Sequence, residues 1–260
     1  MAKKQNKSTS TDTKANKPKS TAPRSAISAR SESRSAEAKA ATPPTVEEQV
    51  RQLMAEAKWG DALKIGQAHH EANPDDFVMR ILITISLRQA GRVAEALAEA
   101  TQLTMDNPNS VHAWAERGEC ELIEKRYLDA IGSFEKAMRI ATATPQIRAG
   151  YADALLRVGY VERGKSEMAL ALAEAPANAQ RFFRQRFAQA LATAGQLEEA
   201  IPLFEEMLPT AINGGAYIGL AQILIRLGRK KEAADHLHAA LAKGFDSDVL
   251  REHLALATVD

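Results

Sequence analysis

The chain has 260 residues, with 34 Lys and Arg against 33 Asp and Glu, for a formal net charge of +1. As one number, that balance excludes a strongly basic nucleic-acid binder and a highly acidic solvating protein. Aromatic residues make up only 5% while Ala and Leu abound, which favours helix and argues against a large β-sheet.

Residues 1–42 carry seven Lys and three Arg against Asp12, Glu32 and Glu37, hence +7, which leaves −6 for residues 43–260. Thirteen of these 42 residues are Ser or Thr, and Pro18 and Pro23 interrupt any helix. With Met1 and Ile27 as its only large apolar residues, the arm cannot offset a backbone entropy of roughly 1–2 kcal/mol per residue. It is expected to be disordered, with an end-to-end distance of roughly 35–40 Å. Three readings fit it. It is a solubilising tail, an organellar transit peptide, or a device attaching electrostatically to nucleic acid, ribosome or anionic membrane. The carriers of such attachment would be Lys3, Lys4, Lys7, Lys14, Lys17, Lys19, Arg24, Arg30, Arg34 and Lys39. The transit reading suits its Ser content but not its Lys bias or its lack of an amphipathic stripe.

From residue 43 a repeat sets in. Ala62, Ala96 and Ala130 lie 34 apart, the next step reaches Gly164, and the series continues at Ala200 and Ala233. Five residues before each small residue from Ala96 onward stands a helix-ending position: Gly91, Lys125, Gly159, Gly195 and Gly228. Pro74, Pro108 and Pro176 mark the far ends of units. Between these signals apolar residues recur at helical spacing, as in Tyr127, Ala130, Ile131, Phe134, Ala137 and Met138. Each unit reads as helix, tight turn, helix, turn. The small residue lets paired helices approach to roughly 8–10 Å, and stacking of neighbours buries what one hairpin cannot.

In the third unit, Trp114, Gly118, Tyr127, Ala130, Phe134 and Ala137 stand in a pattern that resembles the tetratricopeptide repeat. The resemblance covers six units, at 43–76, 77–110, 111–144, 145–178, 181–212 and 214–245. It implies an all-α, right-handed α-solenoid. The first unit is degenerate at Gln49, Val50, Gly66 and His69. Gly164 replaces Ala in the fourth, and a two-residue insertion with Pro202 and Pro209 marks the fifth, so irregular packing is expected around it. After Gly244, Asp246 or Ser247 can cap a last helix, over 246–260, with Leu250, Leu254 and Ala257 on its buried face and Arg251 and Glu252 outward.

Catalytic patterns are lacking. His69 and His70 are adjacent, and His236 and His238 fall on different helix faces; with His112 and His253 they form no zinc spacing. The single Cys120, flanked by Glu119 and Glu121, is expected to be a buried, unreactive thiol in a reducing compartment. No phosphate-binding glycine loop or nucleophile motif appears, and Gly214-Gly215 after Asn213 reads as a turn. The expectation is a protein that is not an enzyme and takes no cofactor or metal. No stretch approaches the roughly 18 apolar residues of a transmembrane helix, and no apolar core follows the first basic residues; the expected location is cytoplasmic.

The resemblance also implies a partner-binding groove lined by the first helix of each unit. Its stripe is Val78, Ile81 and Ile85; His112, Ala115 and Glu119; Gln146, Ala149 and Asp153; Phe182, Gln185 and Gln189; and Ile218 with Gln222. Ile81 and Ile85 read equally as interhelix core. The occupant would be a peptide or helix of a protein partner, with a few apolar anchors and basic residues. Relatives that grip the carboxylate end of a heat-shock chaperone use Lys and Asn there, which Val78, Ile81 and Ile85 do not supply. Arg181, Arg184 and Arg186, interleaved with Phe182 and Phe183, could stack bases or grip phosphates; equally, the rings pack between helices and the arginines pair with carboxylates. The leading expectation is a protein-interaction scaffold. The alternative is a nucleic-acid- or ribosome-associated factor held by the arm, and self-association of arm with acidic body is a third possibility.

Overall fold

Each hairpin turn begins where the backbone enters the left-handed region. A computed structural model of the chain describes residues 43–258, so residues 1–42 and the readings of the arm lie outside it. Positive φ occurs at Gly91, Lys125, Gly159, Gly195 and Gly228, the five positions expected from the repeat, and also at Ala57 and Gly244. In each case the next amide closes the turn, as in Arg92 N–H to Leu87 O at 2.9 Å and Arg126 N–H to Glu121 O at 2.8 Å. That bond satisfies carbonyls the helix end would leave orphaned.

Between these turns the described residues form thirteen helices and no strand. They pair as α1 (Val46–Ala55) with α2 (Trp59–Ala72), α3 (Phe77–Gln89) with α4 (Val93–Asp106), and α5 (Val111–Ile123) with α6 (Tyr127–Ile140). Then come α7 (Pro145–Arg157) with α8 (Val161–Glu174), α9 (Gln180–Thr193) with α10 (Leu197–Met207), α11 (Gly215–Arg226) with α12 (Lys230–Ala242), and finally α13 (Asp248–Thr258). Side-chain caps start the early first helices. Thr45, Asp76, Ser110 and Thr144 accept from the amides of Glu48, Met79, Ala113 and Ile147. The second helices lack such caps; three open instead on a clamp from the arginine at the turn, Arg92 to Glu95, Arg126 to Asp129 and Arg229 to Glu232.

Asp76 carries two loads, capping α3 and pairing with His69 across 3.0 Å. The Met79 amide first, then His69, holds its carboxyl below the ordinary 3.8, against the opposing effect of burial. A depressed carboxylate stabilises the fold above its unfolded pKa, and that contribution is lost as pH falls through its lower folded value. Asp76→Ala is therefore expected to cost about 1–2 kcal/mol at neutral pH. The gap to the parent in urea denaturation should narrow as pH falls below the ordinary 3.8 and close once the parent's own, lower-titrating carboxyl is protonated.

Ala62, Ala96, Ala130, Ala200 and Ala233 are wholly buried at the crossings within hairpins. At Gly164 a Cβ would lie 2.7 Å from Leu156 Cγ and 3.0 Å from the Ala152 carbonyl, so α7 and α8 meet too closely even for alanine. First helices touch one another all along the array, from α1 with α3 to α11 with α13, whereas no two second helices do. The first helices therefore line the shorter, inner side.

The expected irregularity falls between α8 and α9. Elsewhere a first helix rests mainly on the second helix before it; α9 instead leans mainly on α7. α10, with Pro202 inside it, has 11 residues where the other second helices have 13 or 14. At the end, Ser247 accepts from the Leu250 amide, and α13 buries Leu250 and Ala257 against α11 and α12 while Arg251 and Glu252 face outward. That closes the last apolar face, as a stacked array requires.

Candidate functional site

The fourteen stripe residues divide by exposure. Val78, His112, Gln146, Phe182, Gln185, Gln189 and Gln222 are exposed, and Ile85, Ala115, Glu119 and Ile218 are half-buried. Ile81, Ala149 and Asp153 are buried. Ile81 packs with Leu103 and Ala113, against Phe77 and Ile85, and so belongs to the interhelix core. These three do not present a surface to a partner.

Asp153 is buried because an ionic network closes over it. On α7 it takes Arg157 Nε at 2.6 Å, and from α9 Arg186 Nε reaches it at 3.4 Å. Arg186 also donates through Nη1 and Nη2 to the two oxygens of Glu119 on α5, at 3.0 and 3.2 Å. A fork of two parallel bonds is the geometry that best matches a carboxylate to a guanidinium. Burial opposes the charge on Arg186, but Glu119 and Asp153 outweigh it and raise its pKa above the usual arginine value. Nearby, Arg88 on α3 pairs with Glu116 on α5 at 3.0 Å. The inner face is thus tied across four consecutive first helices, α3, α5, α7 and α9.

Three cavities open on this face. One of about 180 Å³ is lined by Ala115, Glu119, Gln146 and Phe182 of the stripe, together with Arg88 and Arg186. Another of about 520 Å³ takes in Gln185 and Ile218. The third, about 570 Å³, lies among α9, α11 and α13 and includes Gln189 and Gln222. Eight of the fourteen expected residues line these cavities; Val78, Ile81, Ile85, His112, Ala149 and Asp153 line none of the three.

Two profiles described as tetratricopeptide repeat match the sequence, over residues 85–146 and 185–254, together just over half of its length. The chain belongs to the tetratricopeptide repeat family. Solved structures agree on the fold. A tetratricopeptide repeat protein of Parabacteroides merdae is 17% identical, with a TM-score of 0.64 over 82% of this chain and 83% of its own. A thermophilic tetratricopeptide repeat protein of Thermus thermophilus is 17% identical, with a TM-score of 0.60 over 69% of this chain and 97% of its own. PilW, a type IV pilus biogenesis factor, is 15% identical, with a TM-score of 0.66 over 80% and 96%. No curated protein matches the sequence.

Within the tetratricopeptide repeat array, the arginine-rich start of α9 is occupied internally. Arg181 donates to the Thr210 carbonyl at 2.6 Å, Arg184 approaches Glu206 at 3.5 Å, and Arg186 holds the network just described. Phe183 is fully buried with Phe182 edge-on to it at 5.5 Å. In this segment Phe183 packs between helices and the arginines are paired, while Phe182 and Gln185 are exposed. Among the described residues no group of three or more His, Cys, Asp and Glu is placed to hold a metal ion, and no helix is long and apolar enough to cross a membrane.

Cys120 is wholly buried, and its thiol is pushed up to about 12. Burial is the chief cause, with Glu116, Glu119 and Glu121 adding to it and Arg88 opposing; the flanking carboxylates alone were a minor part of the answer. At neutral pH the thiolate is then roughly a thousandfold scarcer than on an exposed cysteine. Ellman's reagent should leave the native protein almost unmodified and titrate one thiol once denaturant is added.

Sequence reasoning missed Arg157, Thr193, Arg226, His253 and Leu256, all of which line the cavity among α9, α11 and α13. A signal existed for the first three. Asp153, Gln189 and Gln222 are stripe positions, and one helical turn further on stand Arg157, Thr193 and Arg226. His253 and Leu256 come from the closing helix, which the repeat pattern does not reach.

Proposed function

We propose that this protein is a non-catalytic interaction scaffold that holds an extended or helical segment of a partner protein along the inner face of its repeat array. The observation that carries this reading is the set of inner cavities, two of them lined mainly by successive first helices and the third by Gln185, Ile218 and the turns before α11 and α13, with apolar side chains in each. Phe182, 59% exposed at the cavity of about 180 Å³, is the natural anchor for an apolar residue of the partner.

Affinity capture from the native cell tests this. Full-length protein and a Phe182→Ala, Gln185→Lys variant are compared with an outer-face variant, Leu128→Ser. The inner-face variant should lose its partner while keeping the parent's circular dichroism, and the outer-face variant should retain it. Retention by the inner-face variant with loss by Leu128→Ser would reject the inner groove.

A further inference from the structure

The cavity among α9, α11 and α13 is chemically unlike the body that contains it. Residues 43–260 carry a net −6, yet no Asp or Glu lines this cavity of about 570 Å³. Its polar lining is Arg157, Arg226, Gln189, Gln222, Thr193 and His253, over a floor that includes Phe204 and Ile223.

These polar groups are held in place. Arg226 Nη1 donates to the Ala192 carbonyl at 2.8 Å, and among the described residues no carboxylate pairs with it. His253 Nδ1 lies 2.7 Å from the Val249 carbonyl, which fixes the proton on that nitrogen and leaves Nε2 to accept from Gln222 Nε2 at 2.9 Å. Arg157 is steadied by Asp153 and lies with its guanidinium carbon 5.5 Å from the centre of the Tyr127 ring. Donors fixed before binding lose little entropy on meeting a ligand. Leu256, 53% exposed, stands at the edge as an apolar contact.

Resting on the groove reading above, we propose that this end of the groove takes an acidic segment of the partner protein, its Asp or Glu side chains meeting Arg226 and Gln222 and an adjacent aliphatic residue meeting Leu256. The complementarity is local: one end of the inner face presents guanidinium and amide donors, while its middle carries Glu116, Glu119 and Asp153 already matched by arginines. The sequence-based expectation of a basic occupant therefore suits this end poorly.

Fluorescence anisotropy with the full chain tests it, using three short labelled peptides of alternating Glu and Leu, Gln and Leu, or Lys and Leu. The Glu peptide should bind about tenfold more tightly than the Gln peptide, the Lys peptide should be weakest, and added salt should narrow the gap. Arg226→Gln lies on an exposed side chain and should abolish most of the preference for Glu over Gln without moving the melting temperature. Equal affinity for the Glu and Gln peptides, or an unchanged preference in Arg226→Gln, would overturn the assignment and leave the groove standing. Binding of none of the three would also overturn it, with the Phe182 capture experiment deciding the groove separately.

Discussion

Truncating Phe134 to alanine is expected to cost about 3–5 kcal/mol, the largest loss of any single side chain in the array. Its ring, on α6, is wholly buried and sits between two helices that carry glycine at the point of contact. A Cβ on Gly118 of α5 would lie 3.0 Å from the ring, and a Cβ on Gly150 of α7 only 2.4 Å from it and 2.7 Å from Glu119 Oε1. The two glycines are the slot, and Phe134 fills it. Alanine is the better helix former by about 1 kcal/mol, yet Gly150→Ala should destabilise by about 1–3 kcal/mol because the clash outweighs propensity. In the Phe134→Ala background the clash is gone, so the same Gly150→Ala change should become neutral or stabilising. Urea denaturation of the four proteins, followed by circular dichroism, gives the coupling; additive losses would show that the ring and Gly150 do not compete for one space.

The second large effect is electrostatic. Arg186→Ala should cost about 3 kcal/mol, because it leaves Glu119 without a partner in a site where its side chain is only 18% exposed. Asp153 is less affected, since Arg157 still holds it at 2.6 Å. If the orphaned charge rather than lost packing is the cause, Arg186→Met with Glu119→Gln should be more stable than Arg186→Ala alone. Trp59 and Trp114 both lie in the first three hairpins, so their fluorescence reports only that part. Circular dichroism, which samples every helix, is the measurement to use.

These two sites also mark what the sequence could and could not reveal. The turn positions were legible because a left-handed residue followed by a small one is demanded by the sterics of each hairpin, and the register was regular enough to place Lys125 among the glycines. Ala57 satisfies the same demand five residues before Ala62, but it stands in the degenerate first unit, where neither the residue type nor a preceding repeat marked it. Gly150 was silent for another reason: it serves a ring from the preceding unit, a contact between repeats rather than within one. The Arg186–Glu119 fork joins residues 67 apart and depends on α9 leaning on α7, which repeat periodicity does not specify. The inner stripe was drawn as though each first helix presented the same side equally. It does so at Gln146, Gln185 and Gln222, but Arg157 and Arg186 close over Asp153, and the core takes Ile81.

The central claim is that the inner face, and not the outer, meets the partner. Site-specific photo-crosslinking in the native cell tests it most directly, with benzoylphenylalanine placed in turn at Gln185 on α9 and at Leu128 on α6. Both side chains are exposed and neither lies in the core. Covalent adducts with one partner protein from Gln185 and none from Leu128 are the predicted result. Adducts from Leu128 with none from Gln185 would contradict it.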